Sequence, residues 1–297
     1  LDGAKQFLAG KVDIQTVPVR VYGTAGMRLL GPGQEQPIYD SVDSYIHQDG
    51  FTDVKAETIP GKMEGFYGWA DVNYLAGNFQ NRKPTLGSID MGGASTQIAY
   101  VVPEKNKKFD DDIITVNINN QSYAVFSKSF LGLGQDQSRI TMMKDPAAAS
   151  CFPTHYQFDS LHAGAFDFST CTGIFKNIIA NNHVSEEILP VKNQIFYAYS
   201  GVYYTWNFFN VAQSPSQIYQ AMSDVCGKLT WEEMQKAYPK EKVQYLSTYC
   251  SSATYESELL YNTYRVQTDA DHLFVVSKIN DKDVDWTLGA ALYSLLK

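Results

Sequence analysis

Apolar and polar positions along the chain follow two periods, and the switches between them mark out its elements. Leu1 to Lys11 reads as the tail of a helix. Thr16-Val-Pro-Val-Arg-Val-Tyr22 reads as a buried strand with Pro18 near its start. That strand runs straight into Gly23-Thr-Ala-Gly-Met-Arg-Leu-Leu30, a small-residue turn followed by a helix-like segment. A strand's carboxyl end opening into a helix is where α/β folds place ligands, although a tight turn alone accounts for the same residues. Tyr39 to Gln48 predicts an amphipathic helix and Asp53 to Ile59 a strand. Pro60 to Leu75 reads as a helix with Glu64 in or near its first turn. Gly87 to Val102 reads as a hairpin, Lys105 to Asp112 as a charged turn, and Ile113 to Phe126 as a second hairpin. A helical region is expected from Lys128 through Met143, and a surface excursion from Asp145 to Thr172. Phe196 to Phe209 reads as a strand entering a Ser-Gly turn and an aromatic helix. Ser216 to Val225 and Thr230 to Ala237 follow as short helices, and Tyr245 to Tyr264 as a longer one. Leu273 to Lys278 reads as a strand, and Val284 to Leu296 as a terminal turn and helix. No solenoid-length repeat or low-complexity segment interrupts this order.

The first hairpin carries the chemistry. In Gly87-Ser-Ile-Asp-Met-Gly-Gly-Ala-Ser-Thr-Gln97, an apolar entry delivers one carboxylate, Asp90, then two glycines, then Ser95, Thr96 and Gln97. A glycine pair lets the backbone approach a ligand closely, and successive turn amides form an anion-binding nest. Asp90 beside such a nest repels phosphate unless a divalent cation, or its bound water, stands between them. The stretch therefore reads as a metal and phosphate site, while an ordinary hairpin tip is the plainer alternative. Glu64 reads either as a residue favourable with its helix dipole or as a general base walled by Phe66, Tyr67 and Trp69.

Composition narrows the function classes. At 297 residues and 44% hydrophobic, the chain is long enough for two domains. A net charge of −8 without a basic run disfavours broad binding to nucleic acid or anionic lipid. An anionic substrate then needs local help from metal, amides or a few cations. No apolar run approaches membrane-spanning length. Cys151, Cys171, Cys226 and Cys250 contain no C-x-x-C pair, which argues against a zinc knot. Four cysteines permit two disulfides in three pairings. His155 and His162 read as solvated histidines, and Asn120-Gln-Ser122 is an N-glycosylation sequon.

Four segments occur in one order: Gly23 to Leu30, Glu64 to Trp69 with Asn73 to Gly77, Asp90 to Gln97, and Asp285-Trp-Thr-Leu-Gly289. Together with Ser129 to Gly134 and Tyr245 to Cys250, they closely resemble the signature segments of the apyrase family, the nucleoside triphosphate diphosphohydrolases. The resemblance covers nearly the whole chain. It implies an α/β fold of the actin-like (RNase H-like) type, in two domains with the active site in the cleft between them. The expected lobes are residues 1–60 with 277–297, and residues 61–276.

The resemblance further implies hydrolysis of nucleoside tri- and diphosphates to the monophosphate, dependent on Ca²⁺ or Mg²⁺, by direct attack of water. Glu64 would be the base, with Ser95 and Gln97 orienting the water. Asp90 would hold the metal through water, while Gly92, Gly93, Ala94, Thr24 and Ala25 would meet the phosphates. Trp286 would shape the cleft, and Tyr204 and Tyr255 mark the expected nucleobase region. Pairings Cys151 to Cys171 and Cys226 to Cys250 are also implied, and with them a secreted or luminal protein.

Two departures stand out. Gly23 replaces the family's usual Ala, and the family's first phosphate loop, expected before Leu1, is absent. The abrupt start leads to the expectation of an N-terminal segment, cleaved but bound or supplied as a separate chain. The rival readings are a catalytically silent nucleotide-binding module and a polyphosphate phosphohydrolase of the same fold.

Overall fold

The structure is a computed structural model that describes residues 1–103, 107–189, 193–267 and 271–296. Lys105 and Asn106 of the expected charged turn lie outside the described residues. The chain divides into two compact units, Leu1–Gly61 and Lys62–Lys297.

The first unit holds α1 (Asp2–Leu8), β1 (Val19–Gly23), α2 (Ala25–Arg28), α3 (Glu35–Gln48) and β2 (Val54–Thr58). Strands β1 and β2 pair in parallel, Val19 with Val54 through Gly23 with Thr58. Tyr39 and Ile46 of α3 are buried, and the Tyr39 hydroxyl bonds the Thr58 hydroxyl at 2.5 Å.

The second unit is built on a six-stranded mixed sheet. In chain order it contains α4 (Gly61–Leu75), α5 (Asn78–Asn81), β3 (Gly87–Met91), β4 (Ser95–Val101), β5 (Ile113–Ile118) and β6 (Gln121–Leu131). Then come α6 (Gln135–Met142), α7 (Phe168–Asn181), β7 (Phe196–Ser200), α8 (Gly201–Phe208), α9 (Ile218–Val225) and α10 (Trp231–Ala237). Last are α11 (Val243–Leu246), α12 (Tyr249–Ser257), β8 (Leu273–Val275), β9 (Lys278–Ile279), β10 (Lys282–Asp283) and α13 (Thr287–Ser294). The sheet order is β5-β6-β4-β3-β7-β8, antiparallel from β5 to β3 and parallel from β3 through β8.

Alternation gives this sheet two different faces. Ile89, Met91, Ile98, Tyr100, Phe126, Phe130, Phe196 and Ala198 enter the main apolar core, with Trp206, Phe175 and Tyr255 from the helices. Each large side chain buried there contributes about 1.5–3 kcal/mol of transfer free energy. The other face carries small and polar residues, and α4 lies on it. A Cβ on Gly65 would stand 2.6 Å from the Ser127 hydroxyl and 3.1 Å from Gln97 Cβ, so only glycine permits this approach.

The structure departs from the sequence expectation at two places. Lys128 to Leu131 finish strand β6 instead of opening a helix, because Phe126 and Phe130 alternate with Ser127 and Ser129 across the sheet. The expected helix from Tyr245 to Tyr264 is divided into α11, α12 and a π-helical turn at Glu258–Thr263. Ser247 and Thr248 bond the carbonyls of Gln244 and Tyr245 at the first break, a local competition with helix continuation. Residues 277–297 lie in the second compact unit. There Gly289 packs so closely that a Cβ would stand 1.8 Å from the Tyr67 carbonyl oxygen.

Both disulfides, Cys151–Cys171 and Cys226–Cys250, are formed. They close intervals of 20 and 24 residues, each removing about 3 kcal/mol of loop entropy from the unfolded chain.

Candidate functional site

Strand register assembles the site. Asp90 pairs with Gln97 across β3 and β4, Gln97 with Ser129 across β4 and β6, and Asp90 with Tyr199 across β3 and β7. Directly paired residues share a face, so Ser129, Gln97, Asp90 and Tyr199 form one polar row beneath α4. Glu64 enters from the first turn of α4, next to Gly65. It is buried, as are Asp90, Ser95 and Gln97.

Gln97 Nε2 donates to the hydroxyls of Ser95, at 2.6 Å, and Ser129, at 2.9 Å. Those two bonds fix the amide's orientation and leave its other end facing the opposite way. Among the described residues, buried Gln97 Oε1 has no hydrogen-bond partner. A buried acceptor of this kind costs about 1–3 kcal/mol unless a donor reaches it, so it fits a bound water or substrate group.

Electrostatics concentrate at the same place. Burial pushes the Asp90 carboxyl up to about 7, assisted by the charges of Glu64 and Asp285 and opposed by a hydrogen bond from Ser200. Burial likewise raises Asp71 to about 7; this carboxylate accepts the Asp285 N–H at 3.1 Å. Tyr199, fully buried in the same row, is held well above its ordinary value by burial and then by Asp90, Asp71, Glu64 and Asp285. Concentrating carboxyl groups this way is unfavourable in the absence of a counter-charge.

The Gly92-Gly93-Ala94 loop caps this row. Its carbonyls point back into the protein: Gly92 accepts from Gln135 N–H at 2.8 Å, Gly93 from Asp136 N–H at 2.9 Å, and Ala94 from Gly132 N–H at 2.8 Å. The N–H groups of Gly93 and Ala94 have no acceptor among the described residues, and Gly93 is exposed. The Gly92 N–H, also expected to meet phosphate, is instead taken by the Ser95 carbonyl at 3.0 Å, and amides left without an acceptor beside carbonyls tied to the protein are the elements of an anion-binding nest.

The remaining expected residues divide. Trp286 is half-buried and precedes α13, beside Asp285, whose carboxylate accepts from Thr287 N–H. Thr24 and buried Ala25 belong to the first unit, at the turn from β1 into α2. Tyr204 is 67% exposed and lines a groove of about 680 Å³ with Gln135, Arg139, Thr205, Tyr245 and Tyr249. Tyr255 is corrected: it is 1% exposed, its hydroxyl donates to the Leu133 carbonyl, and its ring packs against Phe175. A ring with both faces in the core has no surface for a base. His155 and His162 are exposed, as expected of solvated residues.

Ser200 was not legible as a site residue. Strict alternation would turn it toward the core, but its φ of 57° breaks the alternation where β7 enters α8, and its hydroxyl reaches Asp90. A non-glycine residue there is strained, a cost of about 1–3 kcal/mol that clusters at functional sites. The Ser-Gly pair at a strand end was the available signal. Tyr245, 50% exposed in the groove, stood in a segment read as a helix and as part of the family resemblance, with no site role assigned to it.

Comparison with known proteins bears on the family and the fold. The chain is 28% identical over 337 residues to ectonucleoside triphosphate diphosphohydrolase 1 of Mus musculus, covering 93% of this chain and 65% of the relative. It is 27% identical over 340 residues to probable apyrase 5 of Arabidopsis thaliana, covering 96% and 68%. The chain thus spans somewhat less than two thirds of the mouse relative's length. Among solved structures, a nucleoside triphosphate hydrolase from Neospora caninum superposes with a TM-score of 0.61 at 14% identity, over 99% of this chain and 76% of that one. An exopolyphosphatase from Cytophaga hutchinsonii superposes with a TM-score of 0.54 at 14% identity, over 99% and 80%. These likenesses show the actin-like α/β fold. The GDA1/CD39 (nucleoside phosphatase) family profile matches residues 1–297, and the chain belongs to that family.

Proposed function

We propose that this chain carries the catalytic apparatus of a divalent-cation-dependent nucleoside tri- and diphosphatase that transfers the terminal phosphoryl group directly to water. The observation that carries the reading is Gln97, locked by Ser95 and Ser129 with its buried Oε1 unpartnered, beside Glu64 and Asp90. Glu64 accepts a proton from the attacking water, and Gln97 and Ser95 aim that water at phosphorus. The amides of Gly93 and Ala94, which have no acceptor within the described residues, hold the phosphoryl oxygens where negative charge gathers. Thr24 and Ala25 are further proposed phosphate contacts, at a strand's carboxyl end.

The residues present fit a hard divalent cation. Asp90 is a buried oxygen donor whose ionisation is opposed by Glu64 and Asp285, and a cation relieves that repulsion. Asp90 would hold Ca²⁺ or Mg²⁺ through a coordinated water. Bound there, such a cation supplies charge neutralisation at the phosphate oxygens. The two disulfides and the names of the relatives support an extracytoplasmic location.

The test is phosphate release from ATP and from ADP, with Ca²⁺ or Mg²⁺ and with EDTA, for the chain and its Glu64→Gln variant. Release from both nucleotides is expected, abolished by EDTA and lowered about 10²–10⁴-fold by Glu64→Gln. Nucleotide binding without release would favour the silent binding module instead.

A further inference from the structure

Glu256 has no part in the reaction as described, yet it is fully buried, on α12, directly behind the phosphate loop. Its Oε1 accepts from the Thr205 hydroxyl at 3.0 Å and from Gln135 Nε2 at 3.2 Å, and its Oε2 accepts from Trp206 Nε1 at 3.0 Å. Gln135 is also bonded to Thr205, Nε2 to Oγ1 at 3.0 Å. The same Gln135 donates its backbone N–H to the Gly92 carbonyl. One residue therefore joins the glycine loop on one side to a buried carboxylate on the other.

The surroundings leave Gln135 little freedom. A Cβ on Gly201 would stand 2.8 Å from Gln135 Oε1 and 2.9 Å from the Met91 carbonyl, so the amide is wedged between the start of α8 and the end of β3. A Cβ on Gly134 would stand 2.4 Å from the backbone of Gly93, Ala94 and Ser95. Tyr255, one residue before Glu256, holds the Leu133 carbonyl. Adjacent residues of α12 thus grip both sides of Gly134, and Gly134 and Gln135 press on the loop. An apolar core of similar volume would be less expensive than a buried carboxyl group, so stability alone does not account for Glu256.

We propose that Glu256 is a positioning residue: acting through Gln135, it fixes the register of the Gly92-Gly93-Ala94 loop, and so the placement of the Gly93 and Ala94 amides. The proposal rests on the reading of that loop as the phosphate clamp. Misplacement of a reacting group by about 1 Å costs on the order of 10²-fold in rate. A loosened loop therefore lowers kcat more than it raises KM.

The experiment compares the full chain with Glu256→Met, Glu256→Gln, Gln135→Met and the Glu256→Met/Gln135→Met double variant. Two readouts are taken, amide hydrogen exchange of peptides spanning residues 90–97 and 132–138, and kcat and KM for ATP well below each melting midpoint. Glu256→Met is expected to speed exchange in these two peptides and lower kcat about ten-fold or more, with KM within about three-fold. Glu256→Gln keeps an oxygen acceptor for Gln135 and Thr205 and is expected to retain kcat within about three-fold. Gln135→Met is expected to reproduce Glu256→Met, and the double variant to add little to either, because one linkage is being cut twice. Unchanged exchange in both peptides in Gln135→Met would overturn the proposal, and so would a lowered melting midpoint in Glu256→Met with full kcat and additive effects. Exchange reports on the loop whether or not the chain hydrolyses nucleotide. An inactive parent chain would thus count against the enzymatic reading, and unchanged exchange against this one.

Discussion

Single residues here are set by what burial does to charge. Asp71 and Asp90 stand near 7 and Glu256 near 8, against ordinary values of 3.8 and 4.5, each raised chiefly by desolvation. An acid raised on folding stays protonated in the native chain after the unfolded chain has released its proton. The native state then binds more protons, and stability falls as pH rises from about 4 to about 8. Acids held low, such as Asp167, bonded by Thr170, act in the opposite sense but only below about pH 4. In EDTA the melting midpoint is therefore expected to be higher at pH 5 than at pH 8. The slope should be shallower in Glu256→Gln, and Ca²⁺ or Mg²⁺ should raise the pH 8 midpoint of the parent chain more than that of Asp90→Asn. Thermal scans across this range decide the matter, and a midpoint that rises with pH would contradict the assignment. The sequence exposed Asp90 through its glycine neighbours, but Glu256 gave no sign. Its environment comes from residues 50 and 121 positions away in the chain, a separation no local pattern reports.

At the scale of elements, glycines decide how closely the pieces approach, and the same substitution has opposite effects at two of them. Gly134→Ala puts a methyl group within 2.4 Å of the backbone of the Gly92-Gly93-Ala94 loop, the proposed phosphate clamp, where nothing flexible can yield. Overpacking of that kind costs about 1–3 kcal/mol and should lower phosphate release as well as the melting midpoint. Gly173→Ala, on α7, meets nothing within 4 Å and should stabilise by about 0.5–1 kcal/mol through helix propensity and a less flexible unfolded chain. Denaturant titration of the two variants separates these outcomes; equal effects would mean that the loop accommodates its neighbour. Elements with one clear period were legible in the sequence. The β3–β4 hairpin and the β7–α8 turn both occur where their patterns place them. Lys128 to Leu131 were misread because only Gly132 to Gly134 separate them from the helix α6 that follows, whereas pairing with β4 decided their conformation. The break before α12 was hidden for the converse reason, since hydroxyl side chains bonding nearby carbonyls leave the apolar pattern undisturbed.

At the scale of the whole molecule, the proposed activity calls for recognition of a substrate beyond its phosphates. The fold does not say which part is recognised, because an exopolyphosphatase and a nucleoside triphosphate hydrolase superpose on this chain at equal identity. The groove beside α8 offers a criterion. Tyr204 and Tyr245 expose their rings there with Arg139, and Gln135 borders the groove while bonding the phosphate loop. A polyphosphate has no flat apolar face and gains nothing from these rings, whereas a nucleobase stacked on one gains about 1–3 kcal/mol. Tyr204→Ala and Tyr245→Ala are thus expected to raise KM for ATP and ADP by about five- to hundred-fold, with kcat little changed, because the lost contact is made equally in ground and transition states. KM for inorganic tripolyphosphate should stay within about two-fold of the parent chain. Both rings are exposed and their loss opens no cavity, so the variants should fold and the comparison should report on substrate alone. Parallel losses on ATP and tripolyphosphate would mean that the groove serves the phosphate chain itself, and would move the reading toward a polyphosphate phosphohydrolase.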